Sequence, residues 1–133
     1  MQHPTRLKKQ QHGLTMFGFL FVAVVLVVVA MLAMKLVPAY IEFFSVKKVL
    51  ATMGQDSNLR SKSNGEIRDD FAKRASVAYV TGVKPEDLSV DRRSGTPVIS
   101  LAYEFRTKLV GNLSLVVDFS ASSDPNAAPV QVE

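Results

Sequence analysis

Residues 14–34 read LTMFGFLFVAVVLVVVAMLAM and contain no ionisable side chain. At 1.5 Å of rise per residue, an α-helix over this stretch is about 31 Å long, which matches the hydrocarbon thickness of a bilayer. A helix satisfies its own backbone hydrogen bonds, so it can cross lipid alone. The stretch therefore predicts a transmembrane helix over residues 14–35, with a small domain attached to it.

Two other interpretations of the apolar stretch compete with an uncleaved anchor. A secretory signal has a shorter apolar core and a small-x-small cleavage site, and the nearest candidate, residues 37–39, lies beyond Lys35 and contains Pro38. A buried core helix would need a larger soluble domain than a chain of 133 residues can form around it. We therefore expect the helix to be retained as an anchor.

Basic residues flank the apolar stretch. The net charge of +4 equals the charge of Arg6, Lys8, Lys9 and Lys35, since basic and acidic residues balance from residue 36 onward. Lys and Arg concentrate on the cytoplasmic side of a membrane helix. This asymmetry predicts a cytoplasmic basic leader over residues 1–13, an anchor in the bacterial inner membrane, and a C-terminal domain in the periplasm.

Residues 36–54 predict an amphipathic helix that continues the membrane-spanning helix. Pro38 either kinks the helix or starts a new one, and Tyr40 is placed as an aromatic anchor at the membrane interface. Apolar residues then recur at spacings of three and four: Phe43, Val46, Leu50 and Met53. This period marks one helix face, and the stripe either faces a partner protein or packs on the chain's own domain.

Residues 55–121 predict a small α+β domain that begins with a helix. Ser63 and Glu66 match a capping box, in which each residue satisfies the backbone amide of the other. The helix is expected over residues 64–79. The Ser-, Asp-, Pro- and Ala-rich segment 122–133 has little to bury, so we expect a disordered tail.

Three stretches with alternating apolar and polar residues follow this helix. They cover residues 86–91, 98–109 and 112–120. Alternation of period two predicts strands of an antiparallel sheet with one buried and one solvent-facing side. On the solvent-facing side, we expect Asp118 to form a cross-strand ion pair with Arg106 or Lys108.

Three segments of the chain carry a family resemblance. They read KLVPAYIEFFSVKKVL (residues 35–50), GEIRDDFAKRA (65–75) and VISLAYEFRTKLVGNLSLVVDF (98–119). Together with the preceding apolar helix, they resemble a family of small proteobacterial membrane proteins catalogued as domain of unknown function 4845. The family has no established activity, so the resemblance implies no catalytic residues. Its members are often encoded beside signal peptidase I and ribonuclease III.

The N-terminal junction resembles a second signal. Residues 11–17, QHGLTMF, are similar to the prepilin peptidase signal of type IV pilins and pseudopilins, which is cleaved after its glycine. This resemblance places a possible processing site between Gly13 and Leu14. The family usually has glutamate at the fifth mature position, where this chain has Gly18. The architecture, a long N-terminal helix followed by a small antiparallel sheet, also resembles a pilin.

Histidine and cysteine, which many enzymes and zinc sites use, are absent after the leader. No His or Cys occurs from residue 14 onward, so His-assisted nucleophiles and common zinc sites are not expected. We expect no enzymatic activity, cofactor, metal or small-molecule substrate. Without excess positive charge on the domain, we expect no nucleic-acid partner.

The sequence thus predicts a non-enzymatic single-pass membrane protein with a periplasmic interaction or scaffold domain. Its expected partners are membrane lipid and other envelope proteins or copies of itself. The alternative is a pilin-like or pseudopilin-like subunit that is processed after Gly13 and assembled in an envelope complex.

Overall fold

A computed structural model describes residues 15–127 of the chain. Two α-helices and two short 3₁₀ helices, Leu59–Ser61 and Pro85–Asp87, precede three strands. The longer elements are α1 (Met16–Gly54), α2 (Asn64–Val77), β1 (Leu88–Asp91), β2 (Val98–Val110) and β3 (Leu113–Ser122). The expected α+β class, with a long apolar helix, a second helix and a three-stranded antiparallel sheet, is confirmed. The basic leader with Arg6, Lys8 and Lys9, the possible processing site at Gly13 and Leu14, and residues 128–133 lie outside the described residues.

Helix α1 is continuous over 39 residues. The Thr15 hydroxyl accepts a hydrogen bond from the Gly18 amide at 3.3 Å and caps its N-terminus. Pro38 lies inside α1 without ending it, although proline has no amide to donate to the Met34 carbonyl. In the described part of the chain, α1 is the one helix long and apolar enough to span a membrane, and its most apolar window is not buried by the domain.

The core of the domain forms where the C-terminal half of α1 meets α2 and one face of the sheet. Its central side chains are completely buried: Val46, Leu50, Met53, Ile67, Phe71 and Ile99. Three of the four residues of the amphipathic stripe, Val46, Leu50 and Met53, therefore pack on the chain's own domain. The interpretation of these three as a partner-facing surface is wrong, because α2 and the sheet close over that side of α1.

The capping box at the start of α2 is present. The Ser63 hydroxyl accepts from the Glu66 amide at 3.2 Å, and the Glu66 carboxylate accepts from the Ser63 amide at 2.6 Å. The helix ends at Val77, two residues earlier than the pattern predicts. It ends because Tyr79 adopts a left-handed backbone with φ of 56°, while the Val80 amide donates to the Ala75 carbonyl at 2.9 Å, the arrangement of a Schellman C-cap.

Replacing Tyr79 by glycine is expected to raise the free energy of unfolding by about 0.5–1 kcal/mol. The Tyr79 side chain is 89% exposed, so its removal loses little packing, while glycine adopts positive φ without steric cost. Urea unfolding of the full-length protein in detergent measures the change. Tyr79→Ala removes the ring but keeps a Cβ, so it is the matched control, and an equal gain from alanine would contradict the backbone explanation.

The sheet has the order β1-β2-β3, with both pairs antiparallel. Gly111, with φ of 51°, and Asn112 form the turn between β2 and β3. The register places Asp118 opposite Glu104, so the expected ion pair of Asp118 with Arg106 or Lys108 is wrong. Arg106 instead reaches along its own strand to Glu104 at 2.8 Å, because the register sets Arg106 against Val116.

The segment after β3 continues to contact the domain. The Ser123 amide donates to the Ile99 carbonyl at 2.8 Å, and the Ile99 amide donates to the Ser123 hydroxyl at 3.0 Å. A Cβ on Gly54 would lie 2.9 Å from the Ser123 Cβ, so glycine at the end of α1 permits this close approach. Ser123 thus packs against the end of α1 and pairs with Ile99, within the segment whose composition predicts a disordered tail.

Acidic residues near the start of α2 link stability to pH. Lys62 contacts Asp56 at 2.8 Å and Asp70 at 3.3 Å. The Lys62 hydrogen bond lowers the pKa of Asp56, and the hydrogen bonds from Ser63 lower the pKa of Glu66. A lowered folded-state pKa contributes stability that is present above the unfolded-state pKa and lost as the pH falls through the folded value.

We therefore expect the free energy of unfolding to fall as the pH drops below about 4. Urea unfolding in detergent across this range measures the slope. The double variant Asp56→Asn with Glu66→Gln should flatten it, whereas Glu86→Gln, at an exposed position, is the matched control. An unchanged slope in the double variant would contradict the assignment.

Candidate membrane-proximal site

The β2–β3 hairpin reaches the point where the apolar part of α1 ends. The Lys35 ammonium donates a hydrogen bond to the Lys108 carbonyl, near the tip of the hairpin. Ala39 is buried, and its small side chain lets the backbone of α1 lie close to the sheet. The opposite end of the domain lies at Gly54, about 28 Å further along the axis of α1. The predicted flanking residue Lys35 thus contacts the hairpin at the end of the apolar stretch.

Four aromatic rings from α1 and the sheet form a cluster above Lys35. Phe119 is at its centre, stacked on Phe43 with centroids 4.7 Å apart and edge-to-face with Tyr40 at 5.3 Å. Tyr103 lies 5.4 Å from the same ring. Such pairs stabilise beyond the area that they bury. Phe43, the first residue of the stripe, is half-buried in this cluster, and Tyr40 keeps an exposed edge beside it.

Glu42 connects α1 to the loop that follows α2. Its Oε1 atom accepts hydrogen bonds from the Thr81 amide at 2.5 Å and from the Gly82 amide at 2.6 Å. Hydrogen bonds to an ionised acceptor are stronger than those between neutral groups. Sequence reasoning missed this role, because a lone glutamate on an amphipathic helix carries no signal for a partner 39 residues away.

The Tyr103 hydroxyl is buried beside this contact. It has no hydrogen-bond partner among residues 15–127. Burial, together with the negative charge of Glu42, raises the pKa of Tyr103 to about 12. The phenol therefore stays protonated throughout the physiological range, and its ring acts as part of the aromatic cluster.

An open groove lies at the other end of the domain. It runs between the end of α1 and residues 120–127, has a volume of about 700 Å³, and is lined by Lys47, Gly54 and Asp124 among other residues. Serine hydroxyls and small side chains form most of its wall. Within residues 15–127, no group of three or more His, Cys, Asp or Glu side chains could hold a metal ion.

These features define a class of protein: a small α+β domain built directly on the C-terminal half of a helix whose N-terminal half could span a membrane. The chain belongs to the family described as domain of unknown function (DUF4845), whose model matches residues 35–119. The match begins at Lys35 and ends at Phe119, so it covers the whole membrane-proximal site. Neither a curated protein nor a solved structure matches the sequence.

Proposed function

We propose that the protein is a non-enzymatic single-pass protein of the bacterial inner membrane, and that its periplasmic domain binds other envelope proteins close to the membrane surface. The observation that carries this proposal is the direct attachment of the domain. Helix α1 runs from the apolar stretch into the core as one continuous element, and the hairpin contacts it at Lys35. Without a linker, the domain stays beside the bilayer, so its partners must meet it there.

The open edge of the sheet supports a binding role. Within the described residues, β3 pairs only with β2, so the other edge of its ten residues presents free backbone donors and acceptors. Such an edge can accept a strand from a partner. We thus propose the β3 edge as the surface that binds partners, in place of the buried residues of the α1 stripe.

Photocrosslinking in intact cells tests this role. A photoreactive amino acid at Val116 or Asp118, both exposed on β3, should give discrete adducts. The same group at Lys73, exposed on α2, is the matched control. The mass of each adduct distinguishes a second copy of the chain from another protein. Equal adducts from all three positions, or none from β3, would contradict the proposal.

The positions of the basic residues support the periplasmic orientation, because the basic leader lies on the N-terminal side of the helix. The chain has no cysteine, so a single Ser94→Cys variant reports the location of the domain. A membrane-impermeant maleimide should label it in intact cells without disruption of the inner membrane. Labelling only after that membrane is broken would place the domain in the cytoplasm and overturn the orientation.

A pilin-like subunit processed after Gly13 is the alternative function. One observation favours it: α1 continues without a break from Met16 to Gly54 and packs its C-terminal half on an antiparallel sheet. The intact mass of the protein purified from membranes separates the two functions. Loss of the first 13 residues would support the alternative and contradict the uncleaved anchor.

A further inference from the structure

The hairpin tip, residues 110–113, exposes two aliphatic side chains. Val110 is 68% exposed and Leu113 is 62% exposed, and the two residues are paired across the turn. Exposed aliphatic residues scattered singly are common. A pair at the end of a projecting hairpin is different, because no core forms there and solvation of both side chains is unfavourable.

The position of the tip indicates what covers it. The Lys35 ammonium contacts the Lys108 carbonyl two residues before the tip, and Lys35 is the first charged residue after the apolar stretch. When α1 spans the bilayer, Lys35 lies where the hydrocarbon core ends. The headgroup region beyond it is about 5–8 Å thick on each side, so the tip lies at the level of the headgroups.

A second exposed corner of the domain lies at the C-terminal end of α2. Val77 and Tyr79 are 81% and 89% exposed, and the loop that follows them is held by Glu42. Glu42 lies seven residues after Lys35, which corresponds to about 10 Å along the helix axis. This corner therefore lies beyond the headgroup region and is not part of the contact proposed below.

We propose that the hairpin tip inserts Val110 and Leu113 into the headgroup region of the bilayer, as a second membrane contact of the domain. The proposal rests on the proposed function, since it requires α1 to span the membrane. Lys35 and Lys108 flank the tip, and basic side chains in this position attract anionic lipid headgroups. Lipid is therefore the occupant that the chemistry of the tip fits.

The size of the tip also favours lipid over a protein partner. A stable protein interface buries about 800 Å² on each side, and two aliphatic side chains on a narrow turn cannot provide that area. Shallow insertion into lipid needs only a few apolar side chains at the correct depth. The contact would limit tilting of the domain relative to the bilayer, with β3 running away from the tip from Leu113 to Ser122.

Site-directed fluorescence on the full-length protein tests the insertion. Because the chain has no cysteine, an environment-sensitive fluorophore can be attached to single variants Val110→Cys, Val24→Cys and Ser94→Cys. Each is reconstituted in phosphatidylethanolamine–phosphatidylglycerol vesicles, once with lipids that carry a nitroxide quencher near the headgroup and once with lipids that carry it near the end of the acyl chain. We expect the headgroup quencher to act at position 110 and the acyl-chain quencher to act at position 24. Neither should act at position 94, which lies beside Gly54 at the far end of the domain.

The three positions separate the failure of this proposal from failure of the anchor. Quenching at position 24 without quenching at position 110 would overturn the insertion and leave the anchor intact. No quenching at position 24 would overturn the anchor and the insertion together. Disulfide-linked dimers of the unlabelled Val110→Cys variant, without lipid quenching of its labelled form, would assign the tip to contact between two copies and would also overturn the insertion.

A charge variant tests whether the apolar side chains drive the contact. The label is placed at Asn112→Cys, in the native tip and in a tip that also carries Val110→Asp and Leu113→Asp. Both replaced side chains are exposed, so the domain core is unchanged. The near-ultraviolet circular dichroism spectrum verifies that each variant is folded. We expect the aspartates to reduce lipid quenching at position 112 at least about twofold. Equal quenching in both proteins would overturn the proposal.

Discussion

Replacing Phe71 by alanine is expected to lower the free energy of unfolding by about 3–5 kcal/mol. The Phe71 ring is completely buried between α1 and the sheet, in one cluster with Leu50 and Ile99. Removing the ring loses the free energy of its transfer from water to the core. It also leaves a cavity, because the surrounding structure relaxes only partly. Urea unfolding of the full-length protein in detergent, followed by pulse proteolysis, measures the loss.

Lys73→Ala is the matched control for this substitution. Lys73 lies on the same helix, two residues later, and is exposed. Surface substitutions away from specific contacts change stability by about 0.5 kcal/mol or less. A Phe71→Ala effect as small as the Lys73→Ala effect would contradict the burial of Phe71 between α1 and the sheet.

Replacing Glu42 by alanine is expected to lower the free energy of unfolding by about 2–3 kcal/mol. The carboxylate accepts from the Thr81 and Gly82 amides, and a hydrogen bond to a charged group contributes about 1.5–3 kcal/mol net. Both amides lie in exposed residues, so water can reach them in the variant. This is why the expected cost stays below the sum of two such bonds.

The same substitution has a local readout. Amide hydrogen exchange at Thr81 and Gly82 should become faster in Glu42→Ala, because the two amides lose their acceptor. Glu42→Gln keeps a side-chain oxygen without the charge, so it should retain part of the protection and part of the stability. Unchanged exchange in the alanine variant would contradict the role of Glu42 as the clamp between α1 and the loop after α2.

The two effects act on different parts of the contact between α1 and the rest of the domain. Phe71 holds α2 on the half of the domain near Gly54, where the core is closed. Glu42 holds the loop after α2 on the half near Lys35, where the hairpin projects and the aromatic cluster replaces an extended core. We therefore expect Glu42→Ala to loosen the membrane-proximal side while Phe71→Ala destabilises the whole domain.

Local patterns in the sequence determined the elements of this protein. The uncharged stretch predicted the long helix, Ser63 and Glu66 predicted the start of α2, and period-two alternation predicted three antiparallel strands. Each of these signals depends on residues within a few positions of one another, and backbone geometry converts them directly into helix or strand.

Only the tertiary structure decided what covers each apolar face. The stripe on α1 had two interpretations, and packing against α2 and the sheet buried Val46, Leu50 and Met53 inside the domain. The tertiary structure also decided the left-handed turn at Tyr79 and the Glu42 clamp. It likewise decided the contacts of Ser123 with Ile99 and of Lys35 with the hairpin. These contacts join residues as far apart as 73 positions, and periodicity identifies an apolar face without specifying the distant surface that packs on it.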